Sequence, residues 1–420
     1  IDAGVEIEAI KATHAIVARQ PAPSTATVRL AGGNTIPNRD FVLDFRVAGE
    51  TLKSNLLTWR DPATQQGYFT LMLYPPADTA GLERQPIEFV FVLDCSGSMN
   101  GRPIEQAKEA VTAALDRLQP TDTFQIIQFS SSASQLGATP LAATSDNLAR
   151  GRRYLASLDG SGGTEMIAGI RAALEFPHDP ARLRFVTFLT DGYIGNEVEI
   201  LGAIHERIDV ARIFSFGVGS SVNRYLMERM AKAGRGAVAY LGPDDSARRI
   251  MDGFFERVSH PALTDIRIDW GGMGVSEVYP AAIPDLFVGR AVTVTGRYSG
   301  APGEVSVEGF TGGAPRSFPV ATGSGAGDRP ELAKLWARLR IADLSDRQAF
   351  EGDHYGELAA AIRTTALEHQ LMSDYTAFVA VDASRRTDGN YGVTVPQALP
   401  VPDGVRYETT VGAPQDGTSQ

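Results

Sequence analysis

Residues 89–102, Phe-Val-Phe-Val-Leu-Asp-Cys-Ser-Gly-Ser-Met-Asn-Gly-Arg, constrain the fold more than any other stretch. Phe89 to Leu93 is an apolar run with no polar alternation, which reads as a strand buried on both faces, as in a parallel sheet. The run stops at Asp94. Ser96, Gly97 and Ser98 follow at once, and a helical pattern starts at Pro103. Small oxygen-bearing side chains therefore sit at the carboxyl end of a central strand, where open α/β sheets bind their ligands.

The spacing has a chemical consequence. Asp94, Ser96 and Ser98 alternate along a tight turn, so their oxygens can converge on one point. Oxygen donors suit hard cations such as Mg²⁺. Two distant residues sit in similar settings. Thr164 follows Gly162-Gly163 and opens a helix, and Asp191 ends the apolar strand Phe185-Val-Thr-Phe-Leu-Thr-Asp. Asp-x-Ser-x-Ser with these later Thr and Asp residues resembles the metal-ion-dependent adhesion site of von Willebrand factor type A domains. The resemblance implies Mg²⁺, or Mn²⁺ or Ca²⁺, held by Asp94, Ser96, Ser98, Thr164 and Asp191. Two carboxylates and three neutral hydroxyls just balance such an ion. It stays attractive to an incoming carboxylate, so the implied partner is an acidic group of a protein or polysaccharide.

Around this stretch the chain alternates. Residues 83–259 run strand, helix, strand throughout, which implies a mostly parallel, doubly wound sheet with right-handed crossovers. Ile104, Ala107, Val111, Leu115 and Leu118 share one face of the first helix. Residues 1–82 and 260–325 instead alternate with period two between Gly and Pro turns, as antiparallel strands do. β segments on both sides predict a β-sandwich module with the α/β domain inserted, 1–82 packing with 260–325. Residues 326–420 read as a helical pair, the second helix running from Leu358 to Met372. A buried strand from Tyr375 to Asp382 and a second at Tyr391–Val395 follow.

The resemblance extends beyond the central domain. Pro37 to Glu50 resembles the later part of a vault-protein/inter-alpha-trypsin (VIT) domain. Asp265-Ile-Arg-Ile-Asp-Trp, Ile283-Pro-Asp-Leu-Phe and Leu371-Met-Ser-Asp-Tyr-Thr-Ala-Phe resemble the heavy chains of inter-alpha-trypsin inhibitor and their bacterial surface relatives. That likeness implies a secreted or cell-surface protein, with signal peptide and anchor outside this stretch, and implies that Asp191 reaches the metal through a water. The heavy-chain Asp-Pro-His-Phe motif, through which those chains are esterified to glycosaminoglycan, does not occur here. This favours a bacterial-type relative.

Composition and motifs narrow the alternatives. A net charge of -11 with no long Lys/Arg block argues against nucleic acid. No apolar run approaches the ~20 residues that span a membrane. The single cysteine, Cys95, allows no intrachain disulfide and reads as a small buried residue facing away from the metal. Hydrolysis is disfavoured. Two-metal or phosphoaspartyl chemistry needs a second acid where Ser96 stands. Cys95 and Arg102 are one residue too far apart for a cysteine phosphatase, and neither Gly-x-Ser-x-Gly nor His-Glu-x-x-His is present. The six histidines are scattered. The sequence thus predicts a metal-dependent adhesion or ligand-binding protein rather than an enzyme. The alternative is a scaffold or assembly module in which the metal only braces the loops.

Overall fold

The structure is a computed structural model that describes residues 1–379 except 33–39, 48, 50, 80, 193–194, 209–210, 302, 322–327 and 354. The chain divides into two compact units, one spanning Gly49–Ala377 and one that holds Ile1–Ala48. In the smaller unit β1 (Ile7–Ala12), β2 (Ile16–Ala22), β3 (Thr25–Leu30) and β4 (Leu43–Val47) form two antiparallel pairs, β1 with β4 and β2 with β3.

The larger unit opens with β5 (Lys53–Arg60) and β6 (Gly67–Tyr74). The α/β domain follows. Its elements are β7 (Ile87–Asp94), α1 (Arg102–Leu115), β8 (Thr123–Phe129), β9 (Ala133–Gln135), β10 (Leu141–Ala142), α2 (Ser145–Ala156), α3 (Met166–Leu174), β11 (Leu183–Thr190), α4 (Glu197–Arg207), β12 (Arg212–Val218), α5 (Arg224–Ala233), β13 (Val238–Leu241) and α6 (Ala247–Val258). The sheet order is β10-β8-β7-β11-β12-β13, with β9 also on β8. Pairings among β8, β7, β11, β12 and β13 are parallel, and only the short strands β9 and β10 run antiparallel. The chain winds outward from β7 to β8, then returns across β7 to β11 and winds the other way. The switch point therefore lies between β7 and β11, and a crevice opens at their carboxyl ends.

The apolar run of β7 works as its pattern predicts. Phe89, Phe91 and Leu93 enter the core under α1 and α6, while Val90 and Val92 enter the core under α3, α4 and α5. All eight strand residues are buried. At roughly 25 cal/mol per Å², an aromatic side chain such as Phe89, stacked 4.8 Å from Phe255, contributes on the order of 2–3 kcal/mol by burial.

After the domain come β14 (Thr264–Asp269), β15 (Val275–Tyr279), β16 (Val292–Tyr298), β17 (Ser306–Thr311), β18 (Ala314–Pro319), α7 (Glu331–Glu351) and α8 (Glu357–Glu368). Strand β6, before the α/β domain, pairs antiparallel with β16, after it, from Val292–Leu73 to Tyr298–Gly67. The resulting β15-β16-β6-β5 sheet shares a core with the β14-β17-β18 sheet through Leu56, Phe69, Leu71, Leu263, Val294 and Val307. The α/β domain thus interrupts a β module whose strands close behind it. The pairing comes from the second half of the N-terminal β segment, Lys53–Tyr74.

Two expectations at the C-terminus are corrected. The second helix ends at Glu368, not Met372, because Gln370 takes φ +55° and Leu371 N–H turns back to the Ala366 carbonyl. The apolar run from Tyr375 is not a buried strand over its described part. Ser373 and Thr376 close a tight turn, the Ser373 hydroxyl accepting from Tyr375 N–H, and Phe378 and Val379 are 68% and 83% exposed. The rest of that run and the strand expected at Tyr391–Val395 lie outside the described residues.

Candidate metal centre

Asp94 is the last residue of β7 and is fully buried. One carboxylate oxygen accepts from Ser96 N–H at 2.8 Å, and the other from the Thr190 hydroxyl at 2.6 Å. Both donors are neutral. Burial pushes the Asp94 carboxyl up, its hydrogen bonds to Ser96 and Thr190 pull it down, and the charge of Asp191 raises it again. Among the described residues no Lys, Arg or His is ion-paired with Asp94.

The neighbouring oxygens converge on the same spot. Ser96 Oγ lies 3.2 Å from Ser98 Oγ. Ser96 is buried and Ser98 exposed, so the pair leads from the carboxylate to the surface. The loop that carries Thr164 is pinned to this turn. Gly97 N–H donates to the Gly162 carbonyl at 3.1 Å and Ser161 N–H to the Cys95 carbonyl at 2.7 Å. Gly162 has φ +86°, a left-handed backbone that favours glycine, and a Cβ there would meet Ser131 Oγ of the loop after β8 at 3.0 Å. Asp191 follows β11 directly, and its carbonyl accepts from Asn223 N–H at 3.0 Å.

A cavity of about 540 Å³ opens here, lined by Ser98, Thr164 and Asp191 together with Gly97, Gly162 and the loop Gly219–Ser221. Of the five residues singled out in the sequence, Ser98, Thr164 and Asp191 line the cavity, while Asp94 and Ser96 are buried and connect to it through the contact between the Ser96 and Ser98 hydroxyls. Cys95 packs with Met99 and Phe91 in the core, away from the cavity, and its thiol is pushed up to about 12, by burial first and then by the Asp94 charge. Sequence reasoning missed two contributors. Thr190 precedes Asp191 in the strand and holds Asp94. Ser220 and Ser221 lie in the loop that follows another apolar strand, β12, with a small-residue signature, Gly-Val-Gly-Ser-Ser, like the one that marked the first loop.

A hard divalent cation fits this donor set. A buried carboxylate met only by neutral donors is short of positive charge, and hydroxyl and carboxylate oxygens are the ligands Mg²⁺ takes. No group of three or more His, Cys, Asp or Glu able to hold a metal occurs among the described residues, so no acid-rich cage competes with this site.

Residues 87–240 match the von Willebrand factor type A domain. A von Willebrand factor A domain-containing protein of Dictyostelium discoideum is 29% identical over 287 residues, covering 67% of this chain and 30% of that protein. Human inter-alpha-trypsin inhibitor heavy chain H4 is 28% identical over 316 residues, 69% of this chain and 33% of the heavy chain. A von Willebrand factor type A structure from Catenulispora acidiphila superimposes with TM-score 0.53 at 16% identity, over 76% of this chain and 88% of that one. The α/β core is a von Willebrand factor type A domain. The chain is distantly related to the inter-alpha-trypsin inhibitor heavy chains and to the Dictyostelium proteins, and it spans about a third of the length of these curated relatives. Among the described residues no helix is long and apolar enough to cross a membrane.

Proposed function

We propose that the chain is a divalent-metal-dependent ligand-binding protein of the adhesion type. Mg²⁺, or Mn²⁺ or Ca²⁺ in its place, is held by Asp94, Ser96, Ser98 and Thr164, with Asp191 acting through a water. When bound, the ion supplies an open coordination position for a carboxylate of a protein or acidic polysaccharide partner. The carrying observation is Asp94: a fully buried carboxylate held only by neutral donors, beside a cavity of about 540 Å³. Capture of an acidic partner through the ion needs no catalytic group, and we read the protein as a non-enzyme. We also assign residues 1–82 to the later part of a VIT-like domain, with a secreted or cell-surface setting for the protein.

The test is titration calorimetry with Mg²⁺ on the wild type and Asp94→Ala, followed by binding to immobilised acidic polysaccharide and acidic protein, with and without chelator. The wild type should bind one Mg²⁺, and Asp94→Ala none. Chelator should abolish partner capture, and added Mg²⁺ should restore it in the wild type alone. Capture indifferent to both chelator and Asp94→Ala would remove this mechanism.

A further inference from the structure

Helix α7 lies between two bodies of the larger unit. One face sits on the β module: Leu332, Ala333, Trp336 and Ala337 pack with Leu57 and Tyr68, and Trp336 Nε1 donates to the Glu277 carbonyl at 3.1 Å. Arg340 is ion-paired with Glu277. Two turns further on, α7 reaches the type A domain. Asp346 is ion-paired with Arg229 at 3.2 Å and with Lys232 at 2.5 Å, and Arg229 also donates to the Ser345 carbonyl at 3.4 Å. Both cations are on α5. The Asp346 and Arg229 side chains are only 16% and 17% exposed, and the Arg229 guanidinium lies 4.3 Å from the centre of the Tyr225 ring. The anchor is therefore partly desolvated and ordered, unlike an ordinary surface pair.

The other end of α5 touches the candidate metal loop. Asn223 caps this helix, its side chain accepting from Leu226 N–H at 3.1 Å and donating to Glu197 at 2.9 Å, while its own N–H holds the Asp191 carbonyl. Gly192, at φ +65°, is pressed so close to α5 that a Cβ there would meet Met227 Cε at 2.9 Å. A ten-residue helix is about 15 Å of rigid rod. Contact with α7 at its C-terminal half and with Asp191 at its cap makes α5 a physical link between the β module and the metal loop.

We propose that Asp346 is a positioning residue for Asp191: by fixing α5 against α7 it sets where Asn223 holds the Asp191 loop, so the β module tunes metal affinity from outside the type A domain. This rests on the metal-binding reading given above. The expected effect is moderate, because a residue along such a packed chain changes a remote site by a modest factor.

The experiment uses the 420-residue chain and two readouts. Hydrogen exchange reports the Asn223 amide without any metal, and calorimetry with Mg²⁺ reports affinity. In Asp346→Ala the Asn223 amide should exchange about tenfold faster and Mg²⁺ should bind about fivefold more weakly. Asp346→Glu should restore both. Unchanged exchange at Asn223 in Asp346→Ala, or a Mg²⁺ affinity within twofold of wild type, overturns the inference. A wild type that binds no Mg²⁺, giving the same flat titration as Asp94→Ala, overturns the metal reading itself and is distinguished by exchange at Asn223 still responding to Asp346.

Discussion

The two ends of the central sheet treat buried charge in opposite ways. Among the described residues, every buried acid at the amino ends of the strands has an arginine. Glu88 in β7 meets Arg184 Nε of β11 at 2.6 Å, and Asp122 before β8 is gripped by both terminal nitrogens of Arg84 at 2.9 and 2.6 Å. Arg212 of β12 meets Asp285 of the β module at 2.7 Å. At the carboxyl ends Asp94 is equally buried, yet its partners are an amide and a hydroxyl. A fold that supplies a cation to Glu88, Asp122 and Asp285 at one end and none to Asp94 at the other has not run out of arginines. The difference marks the carboxyl end as the place where positive charge is to come from outside, and the amino end as the place where the charges hold the architecture together.

The largest expected effect lies at the amino end. Arg212→Ala strands Asp285, which also receives the Asp265 amide at 3.0 Å, as an unpaired buried charge where the β module joins the type A domain. Removing one partner of a buried pair costs about 3–5 kcal/mol. Denaturant unfolding of Arg212→Ala should show that loss whether or not divalent metal is present. A loss below about 1 kcal/mol would mean that the pair is no anchor, and the contrast between the ends would collapse.

The carboxyl end should behave in reverse. In chelator, Asp94→Asn removes a charge that burial already disfavours, which offsets the weakened hydrogen bonds, so stability should stay within about 1 kcal/mol of wild type. Mg²⁺ at a hundred times its Kd should then stabilise the wild type by about 2.7 kcal/mol and leave Asp94→Asn unmoved. Thermal melts of both proteins with and without Mg²⁺ read this directly. A large loss for Asp94→Asn in chelator would make Asp94 a structural residue like those at the other end.

This asymmetry was only half legible in the sequence. The unbroken run Phe89–Leu93 specified a strand buried on both faces, and the residues at its exit specified a site, because both signals are local. The insertion of the type A domain was legible for the same reason: period-two patterning changes abruptly on either side of it. Strands β15 and β18 were not, since Val275–Tyr279 and Ala314–Pro319 are short and interrupted by charge or proline. Nor was the arginine layer. Arg84, Arg184 and Arg212 look like ordinary strand-edge charges until the parallel register puts Arg184 beside Glu88, and the pairing of Arg212 with Asp285 spans 73 residues. Thr190 was missed although it adjoins Asp191, because a threonine inside an apolar strand reads as β propensity. Over its described part the apolar run from Tyr375 failed as a buried strand, because the Ser373–Thr376 turn leaves Phe378 and Val379 exposed, and a hydrophobic pattern alone does not report such a turn.

The smallest expected effect tests whether arginine pairing away from the sheet interior follows the rule of the amino end. Asp116, at the C-terminus of α1, is bonded to Arg152 of α2 at 2.8 Å and to Arg248 of α6 at 3.1 Å. Burial pushes its carboxyl up, but the hydrogen bonds and charges of the two arginines outweigh burial and hold it below the ordinary carboxylate value. Folding therefore lowers this pKa, and the unfolded chain takes the proton first as pH falls. The stabilisation is fully present above the unfolded carboxyl value of about 3.9 and is lost as pH drops through the lower folded value. All three side chains are more than a third exposed, so solvent and salt screen the pairs and the gain stays at or below about 1 kcal/mol. Wild type should melt slightly above Asp116→Asn at neutral pH and low salt, and the gap should close below pH about 3.9 and shrink in 1 M salt. A gap that persists at low pH would mean that Asp116 acts through packing of the three helices rather than through its charge.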